Sequence, residues 1–334
     1  MEFNWESICH HYHPVERSKN ILDKPVSIEL GGRKIVLFRA TNNKLVATFD
    51  RCPHRGTPLS LGAVDADGIL RCSYHGWGVS DCGEVKSPNE NNKKMCEIPV
   101  FDVVEKHGLI WIRSGAAASS KFPIFEHPEF LYIGTFDVLV EAPLHQVFDN
   151  FSEDEHFPYV HKTFGWDSSG VDRIKFTFEK TDSSTTNYYV GPQRQFPFMS
   201  LYGVKASSFV HNKFVTHFDP VRITYDSWAT DGKTDTELDG SLRITIFFLP
   251  INPRKTKMIT LVYGKPGNFY QRFLIRYAPG ILIRFIKKEF IEDANFIERI
   301  GFVPYELNNL KLGRFDKSIA YGRKLLSKIY ASGN

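Results

Sequence analysis

Apolar and polar positions alternate in short runs over the first 120 residues. Residues 26–30 alternate, Gly31-Gly32 turns, and residues 34–38 follow; Asn42-Asn43 then turns into residues 45–49. Period-two runs bounded by Gly and Asn predict strands and hairpins. Asp67-Gly68 leads into a further run at 69–71, and 100–104 and 109–112 add two more. Residues 114–120 (Ser-Gly-Ala-Ala-Ala-Ser-Ser) are all small and predict a linker. Beyond it, 132–141 reads as a strand and 143–156 as a helix with Pro143 in its first turn. Strands are expected again at 174–179, 209–216, 222–228, 242–248 and 258–263. The period then lengthens, predicting helices over 269–277, 281–300 and 316–330. The expected fold class is α+β: an antiparallel β domain over 1–120, then an α+β domain over 121–334 with an antiparallel sheet and C-terminal helices.

Composition narrows this little. The 334 residues are 42% hydrophobic and 24% charged, as in ordinary globular chains. A net charge of +4 is too small to argue for a nucleic-acid partner. Five cysteines, an odd number, do not suggest a disulfide framework; a reducing compartment, and so a cytoplasmic location, is expected. The first residues carry no signal-peptide pattern. The most apolar stretch, 273–286, is interrupted by Arg276, Pro279 and Arg284. A half-buried helix is the simpler reading, with membrane-surface contact through 269–288 as the other.

The chemistry concentrates in two places. Cys52-Pro53-His54-Arg55-Gly56 is answered by Cys72-Ser73-Tyr74-His75-Gly76-Trp77, with seventeen residues between His54 and Cys72. Each arm follows a strand-like run and supplies one Cys and one His. Two thiolates on one iron and two imidazoles on the other make the asymmetric Rieske [2Fe–2S] site. A structural zinc takes the same residue types, but its usual arms pair Cys with Cys and His with His. Trp77 is expected to shield the loop. Cys9, Cys82 and Cys96 read as buried or half-buried thiols, and His10, His11 and His13 as exposed polar residues.

The second place is 150–161, Asn-Phe-Ser-Glu-Asp-Glu-His-Phe-Pro-Tyr-Val-His. His156 and His161 would stand about 140° apart on one continuous helix. Pro158 argues for a break that lets both rings reach one metal. Glu153, three residues before His156, would share its helical face. Two histidines and a carboxylate form the facial triad that holds non-haem Fe(II). Residues 289–298 offer carboxylates, and periodicity alone does not select Asp293 over Glu292.

Together these motifs resemble the Rieske non-haem iron oxygenases, specifically their catalytic α subunits. The cluster motif matches at Cys52, His54, Cys72 and His75. The iron-site motif Asn-x2-Asp-x2-His-x4-His matches at Asn150, His156 and His161, and the family's third-ligand region points to Asp293. The likeness covers nearly the whole chain, and the length is similar to the monooxygenase and demethylase branch. One position departs: Glu153 stands where the family has the aspartate that links a cluster histidine of the neighbouring subunit to an iron ligand. Glu153 keeps the chemistry with one more methylene; Asp154 would project about 100° further round a helix.

The resemblance implies an oxygenase that uses O2 and electrons from NAD(P)H, delivered by a reductase or ferredoxin. A Rieske cluster and a mononuclear Fe(II) would be its cofactors, and a homotrimer its assembly. Hydroxylation or oxidative demethylation of a small cyclic or apolar substrate is the expected outcome. Phe196, Phe198, Tyr202, Phe209 and Phe247 are expected pocket walls, and Arg194 and Lys205 the candidate carboxylate clamps. Two other readings remain: a Rieske electron-transfer protein without oxygen chemistry, and an interaction protein built on a zinc knuckle.

Overall fold

The computed structural model describes residues 3–114, 121–123, 128–161, 165–166, 168–192, 194, 205, 207–231, 236–308 and 310–330. The chain forms two compact units that part between Pro123 and Ile124, with Ile251–Pro253 counted in the first.

The first unit opens with helix α1 (Trp5–Cys9), capped by the Asn4 side chain on the backbone N–H groups of Glu6 and Ser7. Eleven strands follow: β1 (His13–Arg17), β2 (Val26–Leu30), β3 (Arg33–Arg39), β4 (Leu45–Phe49), β5 (Ala63–Val64), β6 (Leu70–Arg71), β7 (Gly78–Val79), β8 (Glu84–Ser87), β9 (Lys93–Glu97), β10 (Phe101–Lys106) and β11 (Leu109–Ser114). They form three small antiparallel sheets, ordered β1-β11-β10, β2-β3-β4 and β5-β6-β7-β8-β9. The sequence pattern missed β1 and the short strands at 63–64, 78–79, 84–87 and 93–97, which are too brief or too polar to show a period. It also placed His13 at the surface, whereas His13 is 1% exposed and bonded through Nε2 to Ile8 O at 3.0 Å. Burial is the main cause that pushes its pKa down to about 3, so the ring is neutral. Cys82, read as buried or half-buried, is exposed.

The second unit is one seven-stranded sheet. Strands β13 (Lys175–Lys180), β14 (Ser184–Pro192), β15 (Phe209–Phe218), β16 (Val221–Thr230), β17 (Glu237–Asn252) and β18 (Lys255–Lys265) run as a meander. β12 (Leu131–Val140) joins its edge against β18. The helices are α2 (Leu144–Phe151), α3 (Phe157–Val160), α4 (Phe269–Tyr277), α5 (Pro279–Ile300) and α6 (Lys317–Tyr330). The pattern missed β14 because its inward positions include Thr185 and Asn187, which are polar yet 1% and 3% exposed. Asn187 Nδ2 donates there to Ser152 O at 2.6 Å.

α5 lies along β12. Its buried positions are Ile286, Glu289, Phe290, Asp293, Ala294 and Ile297, the three-and-four spacing of one helical face. Phe290 meets Phe136 edge-on at 5.0 Å and Phe151 at 5.0 Å, which fixes α5 against both β12 and the end of α2. α6 approaches α2 through Gly322: a Cβ there would lie 2.5 Å from Phe148 Cε1. Phe148 is fully buried among Phe218 and Phe248 and has nowhere to turn. Gly322→Ala should therefore destabilise, since overpacking costs about 1–3 kcal/mol and the gain in helix propensity returns about 1. A thermal unfolding midpoint lowered by about 2–6 °C is expected; an unchanged or raised midpoint would contradict this packing.

Candidate functional site

In the first unit the two Cys/His loops repeat one backbone design. Cys52 N–H donates to Thr57 O at 2.8 Å and Gly56 N–H to Cys52 O at 2.8 Å; Cys72 N–H donates to Trp77 O at 2.9 Å and Gly76 N–H to Cys72 O at 3.0 Å. Gly56 and Gly76 sit at φ +78° and +71°, a region that favours glycine, so each loop can turn tightly behind its cysteine. Cys52 and Cys72 are 2% and 4% exposed within an apolar cluster of Val36, Phe38, Leu59 and Leu70, while His54 and His75 are half-buried. The donors are thus sorted, with sulfurs inside and rings outside.

The ring centroids of His54 and His75 lie 4.6 Å apart, and Trp77 stacks flat on His54 at 4.6 Å. His54 Nδ1 is buried without a hydrogen-bonding partner, an orphan that a metal would satisfy. Burial pushes the Cys52 thiol up, opposed by the backbone N–H of His54, and the neighbouring Cys72 adds to the rise. Those backbone donors favour a thiolate, the form a metal binds. A tetrahedral zinc would draw its four ligand atoms to within about 4 Å of one another. Among the described residues, the groups of three or more donors that converge within 4.8 Å all lie in the second unit.

In the second unit the expected helix over 143–156 is shorter. α2 ends at Phe151, His156 caps α3, and His161 follows α3 directly. Tertiary partners claim the carbonyls that would have continued α2. Tyr225 donates to Phe151 O, and Asn187 Nδ2 and Ser318 Oγ donate to Ser152 O at 2.6 and 2.9 Å. Glu153 and His156 therefore meet across a turn rather than along a helical face. Glu153 Oε1 lies 2.6 Å from His156 Nδ1. Asp154 is fully buried with one oxygen toward Asn212 Nδ2 at 3.5 Å, and burial pushes its pKa well up.

His156 Nε2 and His161 Nε2 each lie 3.3 Å from Asp293 Oδ1, and the three donors converge within 4.8 Å. Ligands about 2.1 Å from a metal and at right angles stand about 3 Å apart, so the spacing fits a single cation. His156 Nε2 and Asp293 Oδ1 are buried without a well-aligned hydrogen bond, as ligand atoms facing a cation would be. Burial works against charge on His156, but the Asp293 and Glu153 carboxylates outweigh it and push its pKa up to about 10. That field would favour a cation as it favours the proton.

Helical phase separates the two candidate carboxylates. Asp293 is on the buried face of α5; Glu292 is at its rim, 3.9 Å from His161 Nδ1 and 3.7 Å from Lys288. Glu289, one turn before Asp293, faces His161 Nδ1 at 3.0 Å, though not in hydrogen-bond alignment. Both histidines thus turn one nitrogen to the common point and the other toward a carboxylate, the usual way metal-binding imidazoles are oriented. Glu289 escaped the sequence reading, yet its four-residue spacing from Asp293 on an apolar face was a usable signal.

The three donors border a cavity of about 570 Å³. Its walls are mostly apolar, including Phe157, Phe214, Trp228, Phe285 and Phe290, with Asn150, Asn212 and Gln271 among the few polar groups. Asn150 Nδ2 has no hydrogen-bonding partner. Two expected walls are corrected. On β15 the cavity side is taken by Val210, Asn212 and Phe214, and on β17 by Leu242 and Ile244. Phe209 and Phe247 have the opposite strand parity and face away from it. Phe196, Phe198 and Tyr202 lie outside the described residues. Arg194 is not a substrate clamp: its guanidinium donates to His161 O at 2.5 Å and Pro158 O at 2.9 Å, bracing the segment that carries the histidines. Lys205 does not line the cavity.

The Rieske [2Fe-2S] domain family matches residues 11–102. A methylxanthine N3-demethylase, NdmB from Pseudomonas putida, is 30% identical over 169 residues, covering 46% of this chain and 47% of that protein. A vanillate O-demethylase oxygenase subunit from Pseudomonas sp. is 33% identical over 149 residues, 42% of this chain and 41% of that one. The chain is thus matched over less than half the length of these relatives. Among solved structures, dicamba monooxygenase bound to dicamba superposes with a TM-score of 0.75 at 18% identity, covering 96% of this chain and 97% of that one. A Pseudomonas putida NdmA mutant with caffeine gives 0.73 at 20% identity, covering 96% and 90%. At such identities the likeness is one of fold. Residues 11–102 thus belong to the Rieske [2Fe-2S] domain family, and the chain as a whole shares its fold with the solved dicamba monooxygenase and NdmA.

Proposed function

We propose that the chain is the oxygenase component of a Rieske non-haem iron monooxygenase, hydroxylating or oxidatively demethylating a small apolar or cyclic molecule. The observation that carries this is the convergence of His156, His161 and Asp293 on one point at the edge of an apolar cavity. Cys52, His54, Cys72 and His75 would hold the cluster in the domain over 1–120, and the triad a single iron in the domain over 121–334. When bound, the cluster would supply electrons one at a time and the iron would activate O2. The chain's own part is to bind, orient and exclude. The apolar walls desolvate a substrate and keep bulk water from the triad. Asn150 and Asn212 offer the polar contacts that would fix its orientation.

Glu153 holds His156 in one tautomer by accepting from Nδ1, which leaves Nε2 free to bind. Its oxygens keep spare lone pairs for a donor from a neighbouring subunit. The electron bridge in a homotrimer assigned to Glu153 is part of this proposal, as are the reductase or ferredoxin fed by NAD(P)H and a cytoplasmic location. No described helix is long and apolar enough to cross a membrane. Relatives named as N- and O-demethylases favour a substrate bearing an N- or O-methyl group.

The test is metal analysis with oxygen uptake. Purified chain should hold about three irons and about two acid-labile sulfides. With a surrogate reductase it should consume O2 in step with product from a panel of methylated aromatics. Two irons, two sulfides and no uptake on any substrate would favour a pure electron-transfer protein.

A further inference from the structure

We propose that the outer face of α4 and the start of α5 docks on an anionic lipid bilayer. α4 turns Gln271, Leu274 and Ile275 to the cavity, and Ala278 just after it also lines it. A surface helix would then be expected to present polar side chains outward. Instead Phe269 and Tyr270 are each 75% exposed, Tyr277 67%, Ile281 68% and Phe273 50%. Large aromatic and aliphatic groups gathered on one exposed face mark an interaction surface.

Charge selects the partner. Residues 266–288 contain Arg272, Arg276, Arg284, Lys287 and Lys288 and no Asp or Glu. Arg272, Arg276 and Arg284 form no ion pair with a described residue. Aromatic side chains interleaved with unpaired cations are the composition of helices that lie in the headgroup layer of anionic membranes. A second copy meeting this face about a two-fold axis would set the same cations against each other, and a head-to-tail neighbour in the proposed trimer is told apart by the light-scattering outcome below. Among the described residues no helix is long and apolar enough to cross a bilayer, so contact would be interfacial. Ile281 both lines the cavity and is exposed, so the docked face borders the cavity wall. The inference stands on the exposed face and does not depend on what the cavity binds.

Flotation of the purified full chain with phosphatidylcholine vesicles, with and without phosphatidylserine, tests it. The wild type should float with the serine-containing vesicles at low salt, and much less at high salt or without phosphatidylserine. Phe273→Ser with Tyr277→Ser, and separately Arg272→Gln with Arg276→Gln, should each reduce flotation at least about tenfold. Far-UV circular dichroism and cluster absorbance must match the wild type for both. A wild type that stays with the soluble fraction, or variants that float equally, overturn the proposal. A wild-type oligomer that the same substitutions dissociate in light scattering also overturns it, because the face would then belong to a second copy.

Discussion

Asp293→Ala is expected to lower the iron content from about three per chain to about two and leave acid-labile sulfide unchanged. The carboxylate is 3% exposed, and its Oδ1 stands 3.3 Å from both imidazole nitrogens, so it is the hub of the second donor set. Without it, two histidines remain with no charge to offset a divalent cation at the same point. Product formation should fall below about 1% of wild type, beyond the 10–100-fold typical of losing an outer contact to a metal ligand. Asp293→Asn keeps the shape of the side chain and should behave alike if charge is the cause. Unchanged cluster absorbance serves as the folding control in both variants. A count that stays near three in both would remove Asp293 as a ligand and leave Glu289 and Glu292, which form a second convergent group with His161, as the alternatives.

Glu153→Gln is expected to retain both metal complements and lose about 10–100-fold in turnover. The amide can still accept from His156 Nδ1, so the ring keeps its tautomer, but the negative charge is gone. In the proposed circuit that charge stabilises the imidazole as electrons arrive, and it links to a cluster histidine of the neighbouring subunit. Glu153→Asp restores the carboxylate with one methylene less and should recover part of the loss. The discriminating readout is the rate at which reduced cluster reoxidises in a single turnover with substrate and O2. That rate should fall in the Gln variant and rise again in the Asp variant. If the Gln variant reoxidises at the wild-type rate, Glu153 is a structural contact and the electron route lies elsewhere.

The strand at 26–30 was readable because its residues alternate, those at 45–49, 209–218 and 221–230 because they are rich in β-branched and aromatic residues, and α4, α5 and α6 because apolar residues recur at helical spacing. β14 was not, since Thr185 and Asn187 look like turn residues until a partner for Asn187 is supplied by Ser152 O. The end of α2 was misplaced for the same reason: Asn187, Tyr225 and Ser318 are all at least 35 residues from the carbonyls they take. A local pattern carries no record of a hydrogen bond of that sequence separation.

The two Cys/His loops lie within a stretch of 24 residues, each followed by a glycine one or two positions after its histidine, so the sequence by itself determined their order, spacing and turns. It also determined that His156 and His161 are close, through Pro158 and five residues of chain. Only the tertiary structure decided which carboxylate meets them. The choice between Glu292 and Asp293 turns on which way α5 is rotated against β12, and Phe136, Phe151 and Phe290 set that rotation by packing. It likewise decided that Arg194 braces the histidine segment and that Phe209 and Phe247 face away from the cavity. Strand parity and helical phase are fixed by what each element packs on, and that is a property of the whole fold rather than of any one stretch of it.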